Sequence, residues 1–102
     1  METADCIRGR RSVRNFDERP VEDDVLTEIL RLSGNAPSAH NKQAWAFIVI
    51  RDRERLERIA SVKDSAWPLK KAPLGLAVAA DTVNSVSPRQ DGTILGDHFT
   101  LA

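Results

Sequence analysis

"AWAFIVI", residues 44–50, is seven residues long and apolar throughout. It is rich in β-branched and aromatic side chains and shows no polar alternation. Such a run reads as a buried strand. A second run, "LGLAVAA" at residues 74–80, reads the same way. Both fall far short of the ~20 apolar residues needed to span a bilayer. Helical patterns lie between and around them, so the chain has an α/β layout. A strand apolar on both faces predicts neighbours on both edges. The chain offers no third strand of that quality, since "TVNSVS" is too polar. The 102 residues therefore read as the N-terminal part of one larger domain, incomplete at the C-terminus.

The helices follow from spacing. In "DERPVEDDVLTEILRLSGN", Val25, Leu26, Ile29, Leu30 and Leu32 recur at three- and four-residue steps. Glu22, Asp23 and Asp24 suit the positive end of a helix dipole, and Gly34 is a natural stop. A helix is expected over about 22–33. "DRERLERIASV" predicts a second, with Leu56, Ile59 and Ala60 facing inward and Glu54 paired with Arg58. A weak signal marks a short helix over 3–9. "KDSAWPLKKAP" reads as a linker with two prolines, and "DTVNSVSPRQDG" as a long loop. "TILGDHFTLA" begins a last helix with Ile94, Leu95, His98, Phe99 and Leu101 on its pattern.

Composition narrows the function classes. Fifteen Lys+Arg balance fifteen Asp+Glu, for a net charge of zero. A general polyanion binder is usually basic along a whole face and interleaves exposed aromatics, so nucleic acid is not the expected partner. The single cysteine, Cys6, cannot form a disulfide within the chain and fits a reducing compartment. "METADCIRGR" has no apolar h-region of a signal peptide. A cytoplasmic protein without membrane contact is expected. His40, His98, Cys6 and Asp97 show no metal-ligand spacing, so no metal is expected. Phosphate-binding glycine loops and nucleophile elbows are absent as well.

Two segments remain as candidate sites. "RGRRSVRNF", residues 8–16, holds four arginines within seven positions. Arg8, Arg10, Arg11 and Arg14 flank Ser12. Guanidinium forks match phosphate geometry, and a hydroxyl adds a donor. On these residues alone, a solvated basic helix end explains the cluster as well. "APSAHNKQAW" places Ser38, Asn41 and Gln43 just before the first strand, with Pro37 stiffening the turn. It can present donors to a planar ligand, or satisfy its own backbone through Asx and Ser turns.

Taken together the two segments resemble the FMN-dependent nitroreductase family. That family reads Arg-Arg-Ser-x-Arg-x-Phe, a Leu-rich helix, then Ala-Pro-Ser-x-x-Asn-x-Gln-x-Trp-x-Phe into its first strand. Here Arg10, Arg11, Ser12, Arg14, Phe16, Val21, Leu26, Ile29, Leu30, Ala36, Pro37, Ser38, Asn41, Gln43, Trp45 and Phe47 match in order and spacing. Ala44 stands where proline is common. "RQDGTILGDHFTLA" is similar to the start of the family's long central helix.

The resemblance implies the α+β nitroreductase-like fold, a central sheet flanked by helices. It implies bound FMN and NAD(P)H as electron donor, in an intertwined homodimer with FMN at the subunit interface. Arg10 and Ser12 would meet the phosphate and ribityl end, with Arg11 beside them. Arg14 would reach the pyrimidine edge. Pro37, Ser38 and Asn41 would approach the FMN held mainly by the partner subunit. The implied reaction is ping-pong hydride transfer to a nitroaromatic, quinone or similar small acceptor, with no protein nucleophile or base. The alternative is a non-catalytic flavin-binding or dimerisation module.

Overall fold

The fold is described from a computed structural model covering residues 2–102. The element order is α1 (Thr3–Gly9), α2 (Asp23–Ser33), β1 (Trp45–Ile50), α3 (Arg53–Ala60), β2 (Gly75–Ala80) and α4 (Pro88–Leu101). Single 3₁₀ segments cover Ala39–Asn41 and Asp64–Lys70.

β1 and β2 pair antiparallel, in register from Trp45 opposite Ala80 to Ile50 opposite Gly75. Large side chains of β1 meet small ones of β2: Trp45 faces Ala80 and Ile48 faces Ala77. Residues directly opposite share a face, so Trp45, Phe47, Val78 and Ala80 form one side. α4 lies against it: Phe99 stacks obliquely on Phe47 with ring centroids 5.9 Å apart. A Cβ at Gly92 of α4 would sit 3.7 Å from that of Ala80. The other side carries α3. Its Leu56 is fully buried, and a Cβ on Gly75 would come within 2.7 Å of the Leu56 Cδ2. Glycine at the first position of β2 thus lets α3 close on the sheet.

The sheet holds two strands, and each pairs along one edge. The strands are correspondingly less buried than their composition predicts. Ile48 is 52% exposed and Val78 39%. With Ile50, Arg55, Arg58, Ile59 and Val62, Ile48 lines an open groove beside α3.

In α2 the buried stripe is Leu26, Ile29, Leu30 and Ser33, at i, i+3, i+4 and i+7. Ser33 is buried and its hydroxyl donates to the Ile29 carbonyl. Val25 and Leu32, also seven apart, form a second, exposed face. Val25 there joins Phe16, Val21 and Pro73 around a surface hollow. Gly34 ends the helix in right-handed backbone geometry, not the left-handed form its residue type suggests.

In α3 Asp52 caps the N-terminus by accepting from the Glu54 N–H. Leu56 and Ala60 face inward as expected, but Ile59 is exposed. The expected Glu54–Arg58 pair does not form; the ion pair at this helix is Arg55–Asp52 at 3.5 Å, made with the capping carboxylate. Arg53 donates to the carbonyls of Lys70 and Ala72. That contact folds the expected linker, including Pro68, onto α3.

α4 starts earlier than the apolar pattern of residues 93–102 predicts. Pro88 occupies its first turn, where a missing N–H costs nothing. Leu95 is buried at its centre. Near its C-terminal end the Leu101 carbonyl accepts from the Cys6 thiol, which ties α1 to it.

Candidate functional site

The arginine segment runs on from α1 in extended form, and every residue from Thr3 to Pro20 except Cys6 is exposed. Arg10 donates to the Ser12 hydroxyl at 3.4 Å. Arg11 donates to the carbonyls of Arg8 and Arg10, both at 2.9 Å. Arg14 donates to the Ser12 carbonyl at 3.3 Å. Arg8 pairs with Asp5, and Arg19 with Asp17. Among the described residues no carboxylate pairs with Arg10, Arg11 or Arg14. These three cations hold one another's stretch of backbone and leave their charge unneutralised. Such a cluster attracts an anion with several oxygens.

The 36–43 loop is built differently. Ala36 is buried, Pro37 exposed and Ser38 half-buried. The Ser38 hydroxyl accepts from the Gln43 N–H at 2.9 Å, and the Asn41 N–H donates to the Ser38 carbonyl at 2.9 Å. The loop thus satisfies part of its own backbone, while the Asn41 side chain stays exposed. His40, Asn41 and Gln43 have φ of 55°, 53° and 51°. No glycine in the described chain has positive φ. Left-handed backbone costs a non-glycine residue about 1–2 kcal/mol, less for Asn. Three such residues within four positions mark stored strain, a feature that concentrates at ligand clamps and active sites.

The clamp on this loop is Asp91, in the first turn of α4 and 2% exposed. Its Oδ1 accepts from the Ala39 N–H at 3.1 Å, and its Oδ2 from the Ser85 hydroxyl at 2.7 Å. Ser85, itself buried, accepts from the Ser87 N–H. The local residue pattern reads Asp91 as part of a loop, whereas the family resemblance of "RQDGTILGDHFTLA" sets it at a helix start, where it lies. An earlier helix start at Pro88 was the available signal for it.

β2 leaves the same region through Asp81, whose N–H donates to the Ala44 carbonyl at 2.8 Å. The Asp81 carboxyl is held below its ordinary value, first by the Asn84 side-chain amide and then by the N–H groups of Val83 and Asn84. His40 lies in the loop, and the His98 ring contacts the Ile94 carbonyl within α4. Among the described residues no three His, Cys, Asp or Glu gather as a metal site.

Within one chain the two candidate segments are anchored at different points of α4. The loop is tied to Asp91 and α1 to Leu101, ten residues further along α4, a rise of about 15 Å. No hydrogen bond or ion pair joins the described residues of the two segments.

Comparison with known proteins decides the family. The signature of the nitroreductase family matches residues 7–99. The chain belongs to the nitroreductase family.

A relative in Methanothermobacter thermautotrophicus, provisionally named NADH dehydrogenase/NAD(P)H nitroreductase, is 33% identical over the whole chain, which covers 55% of that relative. A crystal structure of a Clostridium acetobutylicum protein, provisionally named NADH oxidase, is 35% identical with a TM-score of 0.89. The alignment covers 95% of this chain and 60% of that one. An FMN-dependent nitroreductase from Clostridium difficile is 29% identical with a TM-score of 0.89, over 97% of this chain and 58% of that one. The chain thus spans little more than half the length of these nitroreductase-family proteins. Its mixed helix-and-sheet architecture is theirs. No described helix is long and apolar enough to cross a membrane.

Proposed function

We propose that the protein is an FMN-dependent oxidoreductase. It uses NAD(P)H to reduce nitroaromatic, quinone or similar small acceptors by ping-pong hydride transfer. Residues 1–102 belong to its flavin-binding domain. The observation that carries this reading is the cluster of Arg10, Arg11 and Arg14 around Ser12, exposed and without a carboxylate partner. Its donor set fits the phosphate and electron-rich pyrimidine edge of FMN. When bound, FMN supplies the hydride acceptance and donation that no side chain here can perform.

The chain's own residues bind and orient. Arg10 and Ser12 hold the phosphate and ribityl end, and Arg11 stands beside them. Arg14 sets positive charge at the pyrimidine edge, which tunes the potential. Pro37, Ser38 and Asn41 approach the cofactor from the second segment. That no hydrogen bond joins the two segments within one chain is consistent with a homodimer in which each flavin, at the interface, takes one segment from each subunit. The lone cysteine supports a cytoplasmic setting.

The test is a titration of flavin-free protein with FMN, followed by anaerobic addition of NADH or NADPH. Stoichiometric FMN binding and bleaching of the flavin absorbance by a nicotinamide are expected. Binding without bleaching would leave a flavin-binding module and overturn the catalytic reading. No binding would overturn both.

A further inference from the structure

We propose that Asp91 is the positioning residue of the flavin-facing loop, an assignment that rests on the flavin reading above for its function. Asp91 is a buried carboxylate, and no cation pairs with it among the described residues. Burying such a charge is unfavourable unless fixed donors surround it. Its donors are two: the Ala39 N–H on one oxygen and the Ser85 hydroxyl on the other. The first turn of α4 adds the positive end of a helix dipole.

What the carboxylate holds is informative. Ala39 immediately precedes the left-handed residues His40 and Asn41, and immediately follows Ser38. The side chains of His40 and Asn41 face solvent, so packing of those residues does not enforce their backbone shape. The bond from Ala39 to Asp91 is the loop's side-chain tie to α4, and it comes from an element 52 residues away. With that tie in place, Ser38 and Asn41 are fixed relative to the sheet before any ligand arrives. Pre-organisation of this kind raises affinity by removing the ordering cost of binding. The Asp91 carboxylate bonds to neither the arginine segment nor Pro37, Ser38 or Asn41, so it acts through Ala39.

The test compares Asp91→Leu, Asp91→Asn and Ala39→Pro in the full chain. Leu keeps the size and removes both acceptors. Asn keeps an acceptor for Ala39 and an amide for Ser85. Pro removes the Ala39 donor at a first-turn position that tolerates it. Amide exchange at Ala39 in flavin-free protein reads the loop directly, and FMN titration reads its consequence. In Asp91→Leu, exchange at Ala39 should rise and FMN affinity fall, each by about tenfold, the loss of one charge-assisted hydrogen bond. Asp91→Asn should restore both to within about threefold. Ala39→Pro, whether or not the Leu variant folds, should weaken FMN by the same factor as Leu. Unchanged FMN affinity in Ala39→Pro, or an Asn variant as impaired as a folded Leu variant, would overturn the assignment. If the unaltered protein binds no FMN, the flavin reading fails by itself. The exchange measurement then still decides whether Asp91 holds the loop.

Discussion

The arginine segment at 10–14 and the loop at 36–43 are both polar and largely exposed, yet they are held in opposite ways. The first bonds to neighbouring carbonyls and to the Ser12 hydroxyl and carries unneutralised charge. The second carries strained backbone and is fixed by a buried carboxylate on a distant helix. One segment offers charge with little imposed shape, and the other offers shape with little charge. A ligand that needs both, an anion at one end and a flat ring at the other, suits this division. The two segments should therefore fail differently when altered: the first in binding alone, the second in stability as well.

The largest expected effect is on the first. Replacing Arg10, Arg11 and Arg14 together by Ala should weaken FMN by at least ~3 kcal/mol, about a hundredfold. The unfolding free energy should stay within about 0.5 kcal/mol, as for exposed residues whose hydrogen bonds are local and solvent-accessible. Calorimetric titration and urea unfolding check the two halves. A large loss of stability would break the contrast.

Single substitutions sharpen it. Arg10→Ala should cost about 1.5–3 kcal/mol of FMN affinity, the value of a hydrogen bond to a charged group. Arg14→Ala should shift the flavin potential more than the affinity. A redox titration beside the binding curve separates them, and equal, negligible effects would remove this segment from the site.

A smaller effect of opposite sign is expected in the loop. His40 is exposed and left-handed, and its imidazole bonds to none of the described residues. His40→Gly should relieve strain of about 1–2 kcal/mol and add about 0.5–1 kcal/mol of unfolded-state freedom. The net is a protein more stable by about 0.5 kcal/mol, measured by urea unfolding. A destabilised variant would show that the imidazole itself supports the turn.

The smallest effect concerns pH at the loop's exit. The folded Asp81 carboxyl lies below its ordinary 3.8, first because of the Asn84 amide. Its contribution is therefore present above that value and lost as pH falls through the lower, folded one. The stability gap between the unaltered protein and Asp81→Ala should be constant near neutrality and close below about pH 4. Unfolding curves across that range test this; a gap that widens in acid would reverse the sign.

Much of this architecture was legible in the residues. The runs at 44–50 and 74–80 became β1 and β2, because short, uninterrupted apolar stretches flanked by polar or proline-bearing segments favour strands. The α2 stripe emerged from its spacing, and Leu56 and Ala60 from theirs. The exposure of Ile48 and Val78 was not legible, because burial depends on which neighbours a strand finds. The start of α4 was obscured by Ser, Pro and Gly, which signal turns as readily as a helix N-terminus. The site was legible as paired motifs and opaque in its support. A run such as "RQDG" gives no sign that its carboxylate will be buried against an amide 52 residues earlier.

That span has a consequence for how the protein is made. Ala39 is synthesised 52 residues before Asp91. At about 5–20 residues per second the wait is about 3–10 s. The Cys6–Leu101 contact closes over 95 residues and forms later still. α4 is thus the keystone of assembly, since it covers the sheet, seats α1 and sets the loop. Until it docks, β1 presents Trp45 and Phe47 without their cover, so a nascent chain passes through an aggregation-prone interval. Contacts this remote in sequence also make for slow folding. The loop at 36–43 gains its tie to Asp91 only once α4 has been made.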